Sequence, residues 1–215
     1  MGDSLFDELA QRYDAWFESE QGAPIFAAEV ECVRRLLEGV PRPWLEVGVG
    51  TGRFAEALGI EEGLDPSRAV LDFARARGIR TREGRAEKMP YDDGSFGGLV
   101  MVVTICFLDE PGAALRECAR VMGDGGALIV GLVPAESTWG RDYARKGREG
   151  HPFYSAATFY TCAEVVDLAA QMGLGLDAVM SCLFGPPEAE VDPCEAPREG
   201  IDESAGFVGM RFRLG

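Results

Sequence analysis

Residues Pro43 to Phe54 read PWLEVGVGTGRF: an apolar run, then three glycines in five positions, then a helical pattern. Glycine at that density weakens any regular element, so the stretch predicts a strand, a tight loop and a helix in succession. The chain then repeats that rhythm. GLD at 63–65 ends a short second strand, and Asp65-Pro66-Ser67 opens a helix with Val70, Leu71 and Ala74 on its inner face. IRTREG is a third strand, weakly hydrophobic and therefore nearer an edge. FGGLVMVVTI is a continuous apolar run, as expected of a strand buried on both faces of a parallel sheet. A helix from Pro111 to Val121 and the strand GGALIVGLV follow. This alternation predicts a doubly wound α/β fold with helices on both faces.

The flanks depart from the rhythm. Leu5, Leu9, Tyr13 and Trp16 recur at helical spacing, and Phe26, Val30, Val33 and Leu37 mark a second helix. Residues 134–160 form an aromatic and basic insertion. A helix at 161–173 and strands near 176–184 and 207–213 close the chain, with an acidic, proline-rich stretch between those strands. The whole of 1–215 is expected as one domain: N-terminal helices to 40, a ligand-binding core over 41–133, a substrate cap over 134–160, and a C-terminal helix and strands over 161–215.

A formal charge of −15 repels phosphate backbones and anionic lipid, so neither nucleic acid nor a membrane is an expected partner. The longest apolar run, GGLVMVVTICFL, is too short to span a bilayer, and MGDSLFDELA is acidic rather than leader-like. A cytoplasmic location is expected. The six cysteines, Cys194 among them, form no C-x-x-C pair, and His151 is the single histidine; zinc and a disulfide framework are both disfavoured.

The glycine loop carries the chemistry. A dinucleotide fingerprint needs G-x-G-x-x-G, but the third glycine comes one position early, at Gly52, and Arg53 stands in its place. Glu46, at the strand end, would repel a pyrophosphate and suit an ammonium group. Asp65, at the end of the next strand, can accept hydrogen bonds from both ribose hydroxyls. An NAD site would use the same Asp65. A nucleoside with an amino-acid tail satisfies both carboxylates, and that ligand is S-adenosylmethionine (SAM).

LEVGVGTGRF, GLDPS, GRAEKMPYDDGSF and LRECARVMGDGGALIVG resemble, in order, successive motifs of class I SAM-dependent methyltransferases, nearest the branch of ubiquinone and menaquinone biosynthesis. The resemblance covers residues 40–135. It implies a Rossmann-like, mostly parallel seven-stranded sheet with N-terminal lid helices. It also implies a cofactor, SAM: Glu46, Gly48, Gly50 and Gly52 on the methionine tail, and Asp65 with Pro66 and Ser67 on the ribose side. Ala86 and Glu87 would line the adenine, and Val103 and Thr104 the amino group and sulfonium. Tyr13 is either a lid contact to the cofactor or a core aromatic. Two positions depart from the family pattern: Arg85, where an acidic residue is common, and Gly97, where Asp is. No N/D-P-P-Y/F follows the fourth strand.

The acceptor is expected to be a small molecule, neutral or cationic. Its pocket would come from the N-terminal helices, the segment after Thr104 and the insertion, whose HPFYSAATFY is either a substrate wall or an aromatic plug. Within it His151 and Tyr154 are the candidates for catalysis, His151 for its unperturbed pKa near neutrality. A protein of this fold that binds SAM without transferring methyl is the alternative; an NAD-linked oxidoreductase is disfavoured by Glu46 and the glycine register.

Overall fold

The computed structural model of the chain describes residues 2–192 and 195–215, with side chains from residue 9 onward; Cys194 lies outside the described residues. The first five strands are β1 (Trp44–Val47), β2 (Glu62–Asp65), β3 (Arg80–Glu83), β4 (Phe96–Val102) and β5 (Met122–Leu132). They are followed by β6 (Leu174–Cys182), β7 (Arg198–Glu199) and β8 (Phe207–Leu214). All join one sheet in the order β3-β2-β1-β4-β5-β8-β6-β7. The first five pair in parallel, while β8 runs antiparallel between β5 and β6.

The sheet thus has eight strands, not the seven expected. The eighth, β7, is a two-residue strand pairing with Met180 and Ser181 at the outer edge. Two residues are too few to carry an alternating pattern. The pairing is held from the side by Ser181, whose Oγ donates to the Gly200 carbonyl (2.8 Å) and accepts from the Asp202 amide (3.0 Å). As its polar sequence predicts, β3 lies at the other edge.

Among the described residues seven α-helices flank the sheet: α1 (Gly2–Trp16), α2 (Gly22–Leu36), α3 (Arg53–Leu58), α4 (Arg68–Ala76), α5 (Pro111–Val121), α6 (Thr138–Arg148) and α7 (Cys162–Gln171). Strand β4 shows why two layers form. Leu99 and Met101 join one apolar cluster with Leu115 of α5 and Val165 of α7, while Val100 and Val102 join another with Val33 of α2 and Phe54 of α3. Successive side chains of a strand point to opposite faces, so a continuous apolar run needs helices on both. Helix α6 interrupts the insertion with its own cap, Ser137 Oγ accepting from the Gly140 amide at 2.9 Å.

The chain moves outward from β1 through β2 to β3, then returns to place β4 on the other side of β1. That reversal opens a crevice beyond the carboxyl ends of β1 and β4. Over it lies α1, fastened by one carboxylate. Asp14 accepts from Arg53 Nε (2.8 Å) and Nη2 (2.7 Å) and from Arg77 Nη2 (3.0 Å). Arg77 also donates to the Thr51 carbonyl in the glycine loop (2.9 Å). Arg53, which displaces the fingerprint glycine, therefore serves to hold the N-terminal helix against the loop.

Burial pushes the Asp14 pKa up, but the bonds from Arg53 and Arg77 outweigh it and hold the carboxyl below its ordinary value. The clasp is therefore complete above the usual carboxylate range and is lost as pH falls through the lowered pKa. Asp14→Ala leaves Arg53 and Arg77 to their more exposed carboxylate partners Glu18 and Glu56, and should lower unfolding stability by about 1–3 kcal/mol. Urea unfolding at pH 7 and at pH 3 measures it, the difference from wild type shrinking at the lower pH.

Candidate functional site

The crevice is built from the ends of four strands. Its walls include Gly48, Gly50, Asp65, Pro66, Ser67, Ala86, Glu87, Val103 and Thr104, with Tyr13 of α1 above. Ten of the expected cofactor residues thus come together in one cleft. Phe107 and Leu108 close the far side, on and after the short turn Ile105–Phe107. Arg85, the departure from the family pattern, also lines the cleft and is tied to Asp109 at 2.8 Å.

The glycines have separate tasks. At Gly48 (φ +75°) a Cβ would lie 2.3 Å from Thr104 Cγ2, so the loop and the end of β4 meet only because no side chain intervenes. Gly50 faces the cleft, with Tyr13 alone within 4 Å of an added Cβ. Gly52 does not line the cleft: its missing side chain lets α3 approach α4, where a Cβ would sit 3.0 Å from Ala74. The close approach of α3 to α4 accounts for this glycine, whose backbone the sequence assigns to the methionine tail.

Two carboxylates lie at the loop. Asp65 Oδ2 accepts from the Gly50 amide (3.0 Å) and Oδ1 from the Ser67 amide (2.9 Å), which aims it across the mouth of the cleft. Glu46 lies behind the loop rather than on the open surface, 2% exposed. Its Oε2 is buried without a hydrogen-bond partner. Burial holds its carboxyl well above the ordinary range; an amide hydrogen bond from Ala55 pulls the other way, and the Asp65 charge adds to the rise. Val103 marks the opposite wall with φ +49°, a left-handed conformation costly for a β-branched residue. Its amide donates to the Gly131 carbonyl at 2.8 Å, so β5 holds the strained turn in place.

A second cavity of about 460 Å³ adjoins the first, within the size range of small-molecule sites. Tyr13, Val103 and Phe107 line both. The insertion forms its outer wall, as HPFYSAATFY allowed. His151 stacks on Tyr154 (centroids 4.2 Å apart) and Tyr154 on Tyr143 of α6 (4.3 Å). The two candidate catalysts therefore stand in the second cavity and not in the cleft. Burial, then the Arg12 and Lys146 charges, lower the His151 pKa, so the ring is neutral at pH 7. Trp139 anchors the wall, its Nε1 donating to the Gly185 carbonyl at 2.7 Å.

Glu29 of α2 also lines this cavity, and sequence reasoning missed it. The signal was present. Position 29 falls four residues after Ile25 and four before Val33, on the apolar face of α2, where a carboxylate has no structural reason to stand. Burial alone raises its pKa to about 8.

A family model described as a methyltransferase domain matches residues 45–130. A solved structure of a SAM-dependent methyltransferase from Thermotoga maritima, a possible histamine N-methyltransferase, is similar to this chain at 38% identity and TM-score 0.88. The match covers 97% of this chain and 98% of that one. An uncharacterised protein of Mycobacterium tuberculosis is 43% identical over 94% of this chain and 70% of its own length. A demethylmenaquinone methyltransferase of Thermus thermophilus is 32% identical over 59% of this chain and 63% of its own.

Because Glu29 keeps its proton to about pH 8 when folded but only to the ordinary carboxylate range when unfolded, unfolding releases a proton between those values and stability falls as pH rises through them. Glu29→Gln removes that term. The variant should melt a few degrees higher than wild type at pH 8, with the gap closing by about pH 5. Thermal unfolding at the two pH values checks this.

Proposed function

This chain belongs to the SAM-dependent methyltransferase family, and from that premise we propose that it transfers the methyl group of SAM, held in the cleft, to a small-molecule acceptor in the adjoining aromatic cavity. The shared wall of Tyr13, Val103 and Phe107 carries this reading, since it sets the two cavities side by side at the end of β4. When bound, the sulfonium supplies an electrophilic methyl group, and transfer leaves the C–S bonding pair on sulfur.

The residues at the cleft fit such a cofactor. Glu46 offers an unsatisfied carboxylate oxygen for an ammonium, and Gly50 leaves its side of the loop open. Asp65, held at the cleft by the Gly50 and Ser67 amides, is assigned to the ribose hydroxyls. Ala86 and Glu87 are assigned to the adenine, and Thr104 with Val103 to the reacting end. Tyr13, which packs against Phe17 at the edge of the core, is assigned to the lid contact as well. Its role, and that of Phe107, is to exclude water and hold donor and acceptor in line, which can supply much of the rate. His151 and Tyr154 are assigned to the acceptor wall. Among the described residues no helix is long and apolar enough to cross a membrane.

Calorimetric titration with SAM tests the cofactor site. Glu46→Ala and Asp65→Ala should each weaken binding by about 1–3 kcal/mol, the cost of losing a charged hydrogen-bond partner. Unchanged affinity in both would contradict the assignment, and NADH should not bind. An acceptor screen reading release of S-adenosylhomocysteine tests transfer itself.

A further inference from the structure

The larger of these two cavities holds a carboxyl group for which the protein supplies no cationic partner among the described residues. Glu29 is 7% exposed, and among the described residues it makes no hydrogen bond or ion pair. A buried carboxylate without a partner is costly, and an apolar side chain would fill the same position at lower cost. Around it stand the rings of Phe17, Trp139, Tyr143, Phe153 and Tyr154. Aromatic faces attract cations, most strongly where water is excluded. The chain's charge of −15 draws cations toward it from solution. The one cationic side chain lining the cavity among the described residues, Arg12, is exposed, where water screens it.

We propose that this cavity takes an organic ammonium with Glu29 as its counter-ion, which makes the methyl acceptor an amine. The acceptor assignment rests on the methyltransferase reading above; the ammonium site does not. An ammonium has no free electron pair and must first lose a proton. That proton passes to the Glu29 carboxylate. The nitrogen pair so freed forms the bond to the methyl carbon while the C–S pair goes to sulfur, and Glu29 returns its proton to solvent. Each turnover thus releases one proton along with the methylated ammonium.

The groups facing Glu29 leave it a clear pH window. They are Arg12 and Tyr13 of α1, Tyr143 of α6, His151 and Tyr154 of the insertion, and Cys182 of β6. The tyrosines and Cys182 are pushed up, and His151 is held down, so around pH 8 Glu29 is the group among them that titrates.

The test uses phenyltrimethylammonium, which carries a permanent charge, and its neutral isostere tert-butylbenzene. Titration calorimetry at pH 7 in two buffers of different ionisation enthalpy reads affinity and protons together. Wild type should bind the ion at least tenfold more tightly than the isostere and release close to one proton, because the cation drives Glu29 to its charged form. Glu29→Gln should lose both the preference and the proton release, and Glu29→Asp should keep the preference. Equal binding of ion and isostere by wild type, or full ion affinity in the Gln variant, overturns the proposal. Should the Gln variant fail to fold, the wild-type proton count and the Asp variant decide. A separate SAM titration of wild type isolates the cofactor reading: if SAM does not bind, that reading fails while the ammonium result stands on its own.

Discussion

One carboxylate, Asp14, holds the two halves of the site together. It joins the N-terminal helix to Arg53 at the start of α3 and to Arg77 at the end of α4, and Arg77 passes the connection to the glycine loop. All three side chains are mostly buried, so the ions interact with little screening and at short range. The Glu18–Arg53 ion pair and the packing of Phe17 on Phe26 and Phe54 hold the same segment down. Tyr13 covers the cleft and, with Arg12 and Phe17, bounds the aromatic cavity; all three ride on or just beyond α1.

Around that clasp, free energy is set against stability at three places. Glu46 and Glu29 are carboxylates withdrawn from water without a counter-ion, and Val103 is a β-branched residue in a left-handed turn. Each would be relieved by an ordinary substitution, an apolar residue in the first two cases and glycine in the third. Such costs gather where a ligand supplies what the protein withholds. Val103 lines both cavities, Glu46 lies behind the glycine loop and Glu29 lines the aromatic cavity.

Much of the cleft was legible in the primary structure because its parts are local. Gly48, Gly50, Asp65 and Ala86 follow strands whose apolar patterns announce them, and a doubly wound sheet brings every such strand end to one side. Gly52 was legible as a loop glycine, but its packing on Ala74 was not, since that contact lies across two helices. The extra strand β7 was hidden because pairing by two polar residues has no pattern. Glu29 was passed over as a helix residue, although its place on the apolar face of α2 was already anomalous. Arg53 was recognised only as a missing glycine; its partner Asp14 lies 39 residues away.

The sequence by itself determined the alternation of strands and helices, the position of the glycine loop, and a cofactor with a cationic tail. These follow from short-range rules: side-chain periodicity, backbone freedom, and the sign of a charge beside a loop. Only the tertiary structure decided that a second cavity exists, that α1 and the insertion share its walls, and that Glu29 stands within it without a partner. Residues from α1, α2, β4, α6 and the chain before α7 converge there. Such convergence depends on the crossing of the chain between β3 and β4 and on a clasp between distant charges, neither of which leaves a mark on any local stretch of residues.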